Sequence, residues 1–227
     1  MAKTIAFVSG KGGAGKTTAA IMVAGEYDAN KKRTLMIDTD ARQNLTEWWT
    51  VSEKKGNIPA NMNVRAAVRS ADINELLEQS AEKYDLIVID TPGVDSQIRD
   101  IVLRNTDVVV TPVQPNRDEI RAAAEAAAWI ADVSNAVGRE IPQLLLKTRI
   151  SVTNRLSEAY RLIRPFVSNL QKNGYNVSML VQEMYERNCY RDVRSGYGTL
   201  QMMPLNETIK KARLEVRKIA AEIDKYL

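Results

Sequence analysis

The chain alternates short apolar runs with longer segments in which apolar residues recur every three or four positions. Five runs have the length and composition of buried strands, at residues 4–8, 34–37, 86–89, 108–110 and 144–146. The segments between them have helical spacing, for example at residues 17–27. Strands that alternate with helices predict a doubly wound α/β fold, with a mostly parallel sheet covered by helices on both faces.

Three polar loops follow predicted strands directly, at residues 10–17, 38–44 and 90–93. Right-handed crossovers between parallel strands bring the carboxyl ends of the strands to one edge of the sheet, where ligands bind in such folds. We therefore expect the three loops to form one site.

Length and composition narrow the possible classes of protein. The chain has 227 residues without a Ser/Gly-rich linker or a repeat, which predicts a single domain over residues 1–227. Cys189 is the only cysteine and histidine is absent, so a disulfide, an iron–sulfur cluster or a zinc site is not expected. We find neither a signal peptide nor an apolar run near the ~20 residues of a membrane span, and expect a cytoplasmic protein.

Positive charge is concentrated in one part of the chain. The formal net charge is +4, which favours an anionic partner. Residues 139–172 contain an excess of basic residues, and Arg155, Arg161 and Arg164 are predicted to lie on one helix. These arginines are suited to the phosphates of a DNA duplex, although a solvated helix face is the alternative.

The first of the three loops fits the phosphate-binding pattern G-x-x-x-x-G-K-[ST] between a strand and a helix. Glycines let successive N–H groups turn inward towards phosphate oxygens, and the helix start adds its positive dipole end. Lys16 should reach the β- and γ-phosphates, and the Thr17 hydroxyl should bind magnesium. The predicted nucleotide-binding residues here are Gly10, Lys11, Gly12, Gly13, Ala14, Gly15, Lys16, Thr17 and Thr18.

A second lysine, Lys11, stands at the start of this loop. Its position does not duplicate that of Lys16, and its side chain should point away from the phosphates bound by its own loop. We therefore expect Lys11 to reach a nucleotide held by a second subunit.

Acidic residues end two of the other strands. Asp90 precedes Thr-Pro-Gly and is placed to hold magnesium through its water shell, with a turn-capping aspartate as the alternative. Asp38 and Asp40 are two residues apart and point the same way if strand geometry persists. Asp38 suits the hydration shell of magnesium, and Asp40 suits the attacking water, unless it is a solvated turn acid.

These motifs, in their order and spacing, resemble the ParA/MinD family of P-loop ATPases with a deviant Walker A sequence: Lys-Gly-Gly-x-Gly-Lys-Thr-Thr at 11–18, Asp-x-Asp at 38–40 and Asp-Thr-Pro-Gly at 90–93. The resemblance covers nearly the whole chain. It is greatest to short ParA proteins of plasmid partition and to VirC-type ParA relatives, on the segments 45–48, 112–115, 148–156 and 186–196.

The resemblance implies ATP and Mg²⁺ as cofactors and assigns roles to individual residues. Lys11 matches the lysine that contacts nucleotide across an ATP-sandwich dimer, Lys16 binds phosphate, and Asp40 matches the hydrolytic aspartate. Thr17, Asp38 and Asp90 match residues associated with magnesium. Arg149 lies where family members often contact the base.

One loop departs from the family pattern. Many ParA proteins continue Asp-x-Asp with Pro-Gln-Gly, whereas this chain has Ala41-Arg42-Gln43. The change lies just beyond Asp40, so the rate of hydrolysis and its stimulation by a partner stay open.

By the same resemblance, we expect a slow ATPase for DNA segregation or positioning. ATP would promote a homodimer that binds nonspecific DNA on the nucleoid, and a ParB-like centromere- or cargo-binding protein would stimulate hydrolysis. No helix-turn-helix precedes the phosphate-binding loop, so sequence-specific DNA binding is not expected.

Two other functions remain open from the sequence. A membrane-cycling ATPase of the MinD type would use an amphipathic helix at residues 206–227, but its apolar stripe lacks Phe and Trp, and we expect it to pack in the core with Asn206 as its cap. A small-molecule ligase of the same fold, like dethiobiotin synthetase, has no evident use for Lys11. Trp48 and Trp49 are expected to pack inside the protein rather than form a partner surface.

Overall fold

Seven parallel strands form one sheet in the computed structural model, which describes residues 1–93 and 96–227. The strand order is β3-β2-β4-β1-β5-β6-β7, so the predicted fold class is confirmed. The register places Asp38 beside Asp90 and Phe7 beside Asp90 across neighbouring strands. The strands are β1 (Lys3–Phe7), β2 (Thr34–Asp38), β3 (Met62–Ala66), β4 (Leu86–Asp90), β5 (Val108–Val113), β6 (Gln143–Lys147) and β7 (Val177–Met179).

Helices cover both faces of the sheet because successive residues of each buried strand point to opposite sides. Ile5 and Phe7 of β1 pack in one apolar cluster and Ala6 in another. Among the described residues the helices are α1 (Lys16–Ala29), α2 (Asn44–Lys54), α3 (Ser70–Ser80), α4 (Ser96–Arg104), α5 (Arg117–Val137), α6 (Glu158–Lys172), α7 (Asn188–Arg194) and α8 (Glu207–Ile223).

The structure contains all five strands predicted from apolar runs and two more at the edges of the sheet. In β3, buried residues alternate with exposed ones, and β7 has three residues. Neither edge strand presents the continuous apolar run that identifies a strand buried on both faces. The first helix begins at Lys16 and ends at Ala29, slightly longer than the predicted 17–27.

The apolar stripe of α8 packs against α1 rather than facing solvent. Asn206 caps the helix by accepting a hydrogen bond from the Ile209 N–H (2.9 Å). The stripe residues lie in the same cluster as α1, with Leu227 partly buried at its end. The predicted core packing is therefore confirmed, and in the described part of the chain no helix is long and apolar enough to cross a bilayer. The stripe consists of Ile209, Ala212, Val216, Ile219, Ala220, Ile223 and Leu227.

The two neighbouring tryptophans of α2 differ in burial. Trp48 is buried in the core, as predicted, and Trp49 is half-buried with its ring edge against that of Trp48 (centroids 6.0 Å apart). The pair therefore anchors α2, which begins beside the loop after β2.

Candidate nucleotide-binding site

The glycine-rich loop joins β1 to α1 through a backbone that requires glycine at several positions. Gly13 and Gly15 have φ values of 88° and 100°, a left-handed region that strains other residues. A Cβ atom at Gly10 would lie 2.9 Å from the Ala122 carbonyl oxygen of α5. The loop is thus shaped by tight turns and by a close approach to a neighbouring helix.

Loops from two other strands fix this segment from outside. The buried Ala14 carbonyl accepts a hydrogen bond from the Thr148 hydroxyl (3.1 Å) after β6, and the Gly13 carbonyl accepts one from the Gln114 amide (2.9 Å) after β5. These contacts use carbonyl oxygens, which leaves the loop's N–H groups free to turn towards an anion.

A cavity of about 540 Å³ lies above the loop. It is lined from all three polar loops, so they meet at one edge of the sheet as the topology predicted. The lining residues are Gly12, Gly13, Gly15, Lys16, Thr17, Thr18, Asp40, Arg42, Asn44, Thr91, Pro92, Gly93, Arg149 and Arg194.

Lys16 is buried within the loop itself. Its ammonium donates hydrogen bonds to the Ser9 hydroxyl (2.9 Å) and to the Lys11 carbonyl (3.4 Å). Burial lowers its pKa, and the charges of Asp90 and Asp40 act in the opposite direction. Ser9 therefore holds the lysine at the floor of the cavity, a contact that sequence reasoning did not identify.

Lys11 has different surroundings. Its side chain is 48% exposed, and its ammonium lies 3.4 Å from a carboxylate oxygen of Asp118 in the first turn of α5. The two lysines of one loop therefore face different environments, one inside the cavity and one at the protein surface.

Asp90 and Thr17 form the polar centre of the site. The Thr17 hydroxyl donates to Asp90 Oδ2 (2.6 Å), while the buried Oδ1 atom has no hydrogen-bond partner among the described residues. The pKa of Asp90 is raised to about 7, because the effect of burial exceeds the opposing effects of the Thr17 hydrogen bond and the Lys16 charge. A buried acceptor without a partner is rare and suits a cation or a water bound to one.

Strand geometry does not persist from Asp38 to Asp40, so the condition for the two side chains to point the same way is not met. Strand β2 ends at Asp38, whose oxygens accept from the Thr46 N–H (2.8 Å) and the Asp40 N–H (3.2 Å). Asp38 is fully buried beneath the start of α2, whereas Asp40 lies in the loop and lines the cavity. Asp40 accepts from the Arg42 N–H (2.9 Å), which forms a tight turn.

The altered sequence after Asp40 contains a strained residue. Gln43 has a φ of 50°, the left-handed region, just before α2. This is the position at which the Pro-Gln-Gly sequence of many ParA proteins has glycine. Glutamine here adopts a left-handed conformation to which glycine is better suited.

A second cavity of about 310 Å³ adjoins the first. Gly15, Thr18, Arg149 and Arg194 line both cavities. Arg149, predicted from the sequence to contact the base, is exposed at their junction and has a φ of 51°. The other residues that line the second cavity are Thr148, Met184, Tyr185, Glu186, Arg187, Tyr190 and Arg191.

The wall of the second cavity is fixed by Glu215 of α8. Its buried carboxylate accepts hydrogen bonds from the Arg187 guanidinium (2.8 Å), the Tyr190 hydroxyl (2.5 Å) and the Tyr185 N–H (2.8 Å). Burial and this acidic partner raise the pKa of Tyr190. A residue of the last helix thus orients three residues that line the cavity.

The basic residues after β6 differ in their partners, although all three predicted DNA-binding arginines are exposed. Arg155 lies in a short 3₁₀ turn before α6, and it binds the buried Glu183 together with Lys147. The prediction that Arg155 shares a DNA-facing helix with the other arginines is therefore wrong. Arg161 and Arg164 are exposed on α6, and neither forms an ion pair with another described residue.

The chain matches the model of the VirC1 protein family over residues 2–226. Protein ParA of Rhizobium radiobacter is 26% identical over 211 residues, which is 93% of this chain and 90% of that protein. The ATP complex of Cyanothece McdA has a TM-score of 0.74 at 13% identity, covering 98% of this chain and 96% of that chain. The structure of pNOB8 ParA bound to nonspecific DNA has a TM-score of 0.61 at 17% identity, covering 98% and 100%. These structural likenesses concern the fold.

Proposed function

The chain belongs to the VirC1 protein family, among ParA- and MinD-type P-loop ATPases, and we propose that it is a ParA-like ATPase for DNA segregation or positioning. It binds MgATP, dimerises face to face through Lys11, and binds DNA without sequence preference. Slow hydrolysis of ATP, stimulated by a ParB-like partner, ends each cycle.

The different surroundings of Lys11 and Lys16 carry this proposal. Lys16 is held inside the loop by Ser9, so one lysine already serves the phosphates of the loop's own nucleotide. Lys11 is half-exposed, and an exposed ion pair such as the one with Asp118 contributes only about 0–1 kcal/mol, so exchanging it for a phosphate costs little. The phosphates bound to a second subunit provide such a partner.

The two adjoining cavities suit the two parts of a nucleotide. The larger cavity offers loop N–H groups, Lys16 and the start of α1 to the phosphates. The smaller one has Tyr185 and Tyr190 in its wall and takes the base and the ribose. Arg149 and Thr18 line both cavities; Arg149 would contact the base, and Thr18 would bind the phosphate nearest the ribose.

The polar centre of the site fits magnesium. Thr17 and Asp90 would hold the ion, the threonine directly and the partnerless Oδ1 atom of Asp90 through water, with Asp38 in the outer shell. Within residues 1–93 and 96–227, no three acidic or sulfur side chains group closely enough to hold a metal, so most ligands would be water and phosphate. When bound, the ion neutralises charge on the β- and γ-phosphates.

We assign to Asp40 the role of orienting the attacking water. It lines the phosphate cavity, and the turn formed with the Arg42 N–H fixes its carboxylate. The loop at residues 91–93 closes the cavity from the other side, where a Cβ at Gly93 would lie 3.2 Å from the Gly12 nitrogen. We propose that this loop shifts with the γ-phosphate.

Exposed charge on α6 supports nonspecific DNA binding. Arg161 and Arg164 are three residues apart on one helix face and are free for phosphate contacts. Dimerisation presents this face twice, so ATP would strengthen DNA binding through avidity. Binding through phosphates alone falls steeply with salt.

The buried stripe of α8 disfavours the MinD-type alternative. A membrane-binding helix needs its apolar face towards lipid, whereas the face of α8 is occupied by α1. The ligase alternative predicts turnover that depends on a small substrate, with no role for Lys11.

Sedimentation of the protein with ATP, ADP or no nucleotide tests the proposal. We expect a dimer with ATP alone for the wild type, a more persistent dimer for Asp40→Ala, and a monomer for Lys11→Ala. Lys83→Ala, an exposed lysine before β4 at the opposite sheet edge, is the matched control. An ATP-dependent dimer of Lys11→Ala would refute the proposed interface.

A further inference from the structure

Arg194 is the last residue of α7 and lines both cavities. Of the four residues shared by the cavities, Gly15 and Thr18 belong to the phosphate-binding loop and the first turn of α1, and Arg149 follows β6. Arg194 brings a cation to the same junction from a fourth element. None of the sequence motifs indicated a role for it.

The side chain of Arg194 faces acidic groups of the phosphate site. Its Nη1 atom donates a hydrogen bond to the carbonyl oxygen of Asn44 (3.2 Å), the first residue of α2. Burial lowers the pKa of Arg194, and the carboxylates of Asp90, Glu47 and Asp38 act in the opposite direction. The guanidinium therefore lies within electrostatic range of the residues proposed to hold magnesium.

The other arginines of the second cavity differ from Arg194 in their partners. Arg187 is bound by the buried carboxylate of Glu215, and Arg191 is paired with Glu186 at the surface. Among the residues that the structure describes, the Arg194 side chain donates one hydrogen bond, to a carbonyl oxygen, which leaves most of its five N–H donors for another acceptor.

We infer that Arg194 binds the nucleotide in cis, at the phosphate nearest the ribose. A nucleotide that spans both cavities must pass their junction with that phosphate, which Thr18 and Arg194 flank. A guanidinium offers paired donors that match phosphate oxygens. The inference rests on the proposed function, because it requires nucleotide in these cavities.

The same side chain connects the nucleotide to α2. Asn44 follows the loop that contains Asp40, and the N–H of Thr46, two residues further on, is bound by Asp38. An arginine that holds both a phosphate and the first carbonyl of α2 ties the position of the hydrolytic loop to nucleotide occupancy. Arg194 is thus a positioning residue for this loop as well as a nucleotide ligand.

Titration of fluorescent ADP and ATP against the wild type, Arg194→Gln and Arg194→Lys tests the inference. Gln keeps a polar side chain but removes the charge. We expect it to weaken the binding of both nucleotides about ten-fold or more, since the phosphate concerned is common to both. Lys restores the charge without paired donors and should fall between the two. Arg33→Ala removes an exposed arginine at the opposite edge of the sheet and should bind like the wild type.

Thermal unfolding with and without ATP distinguishes binding from a purely structural role. If Arg194 binds nucleotide, Arg194→Gln should show a smaller ATP-induced rise in the unfolding midpoint than the wild type. If the role of Arg194 is purely structural, the substitution should lower the midpoint without ATP and leave the ATP-induced rise unchanged. If Arg194→Gln does not fold, Arg194→Lys carries the comparison with the wild type.

If Arg194→Gln binds ADP and ATP with an affinity within two-fold of that of the wild type, the inference is overturned while the proposed function stands. Absence of nucleotide binding by the wild type would overturn the proposed function itself, and the inference with it.

Discussion

Removal of the Glu215 carboxylate should destabilise the protein and open the second cavity at the same time. Glu215→Ala leaves the Arg187 guanidinium, the Tyr190 hydroxyl and the Tyr185 N–H without their shared acceptor. The Glu215 side chain is 3% exposed and that of Arg187 is 20% exposed, so the remaining charge is poorly solvated.

Breaking a buried ion pair by removing one partner costs about 3–5 kcal/mol. We take the lower end, about 3 kcal/mol, because part of Arg187 reaches solvent. For a chain of this length that corresponds to a fall in unfolding midpoint of roughly 6–12 °C. Nucleotide affinity should fall as well, since Tyr185, Arg187 and Tyr190 line the cavity.

Urea unfolding and differential scanning calorimetry measure the effect, with Glu207→Ala as control. Glu207 lies on the same helix, but its pair with Lys210 is exposed, and such pairs contribute about 0–1 kcal/mol. A double variant, Glu215→Leu with Arg187→Met, should recover stability relative to Glu215→Leu alone, because no buried charge remains unpaired. Equal losses for Glu215→Ala and Glu207→Ala would refute the reasoning.

Three further outcomes follow from single features of the structure. Gln43→Gly should raise the free energy of unfolding by up to about 1 kcal/mol, since φ is 50° there, and a loss in urea unfolding would contradict the assigned turn. Without metal or nucleotide, the wild type should lose up to about 4 kcal/mol of stability as pH rises from 4 to above 7, because the folded protein keeps the Asp90 proton to about pH 7. Asp90→Asn should lack this pH dependence, and identical pH profiles for the two proteins would contradict the raised pKa of Asp90. Replacing Arg161 and Arg164 by Ala should reduce the salt slope of DNA binding by about 0.9 for each lost phosphate contact, and an unchanged slope would place the DNA surface elsewhere.

The central part of the fold can be predicted from the sequence because strands buried on both faces read as continuous apolar runs. β3 alternates between exposed and buried positions and β7 is too short to show any pattern, so both edge strands were missed. The packing of helix α8 could be predicted, since a stripe of small and branched aliphatic residues after an asparagine cap is typical of a helix packed in a core and lacks the Phe and Trp of a membrane-binding helix.

In the candidate site, the loops that meet can be predicted from the sequence, but the charge pairs cannot. The loops that contain Lys16, Asp40 and Asp90 follow strands, and parallel topology brings strand ends together whatever the rest of the chain does. Which charge pairs with which cannot be predicted from spacing, because the partners are far apart in sequence. Arg155 was assigned to DNA, yet Glu183 binds it, and Arg194 approaches Asp90 from about 100 residues away.

The most direct test of the account is binding to random-sequence duplex DNA at two salt concentrations, with ATP, ADP or no nucleotide. The account predicts that wild type and Asp40→Ala bind DNA only with ATP and more weakly at high salt, and that Lys11→Ala does not bind under any of these conditions. DNA binding that is independent of nucleotide, or that Lys11→Ala retains in full, would contradict the coupling of ATP, dimer and DNA.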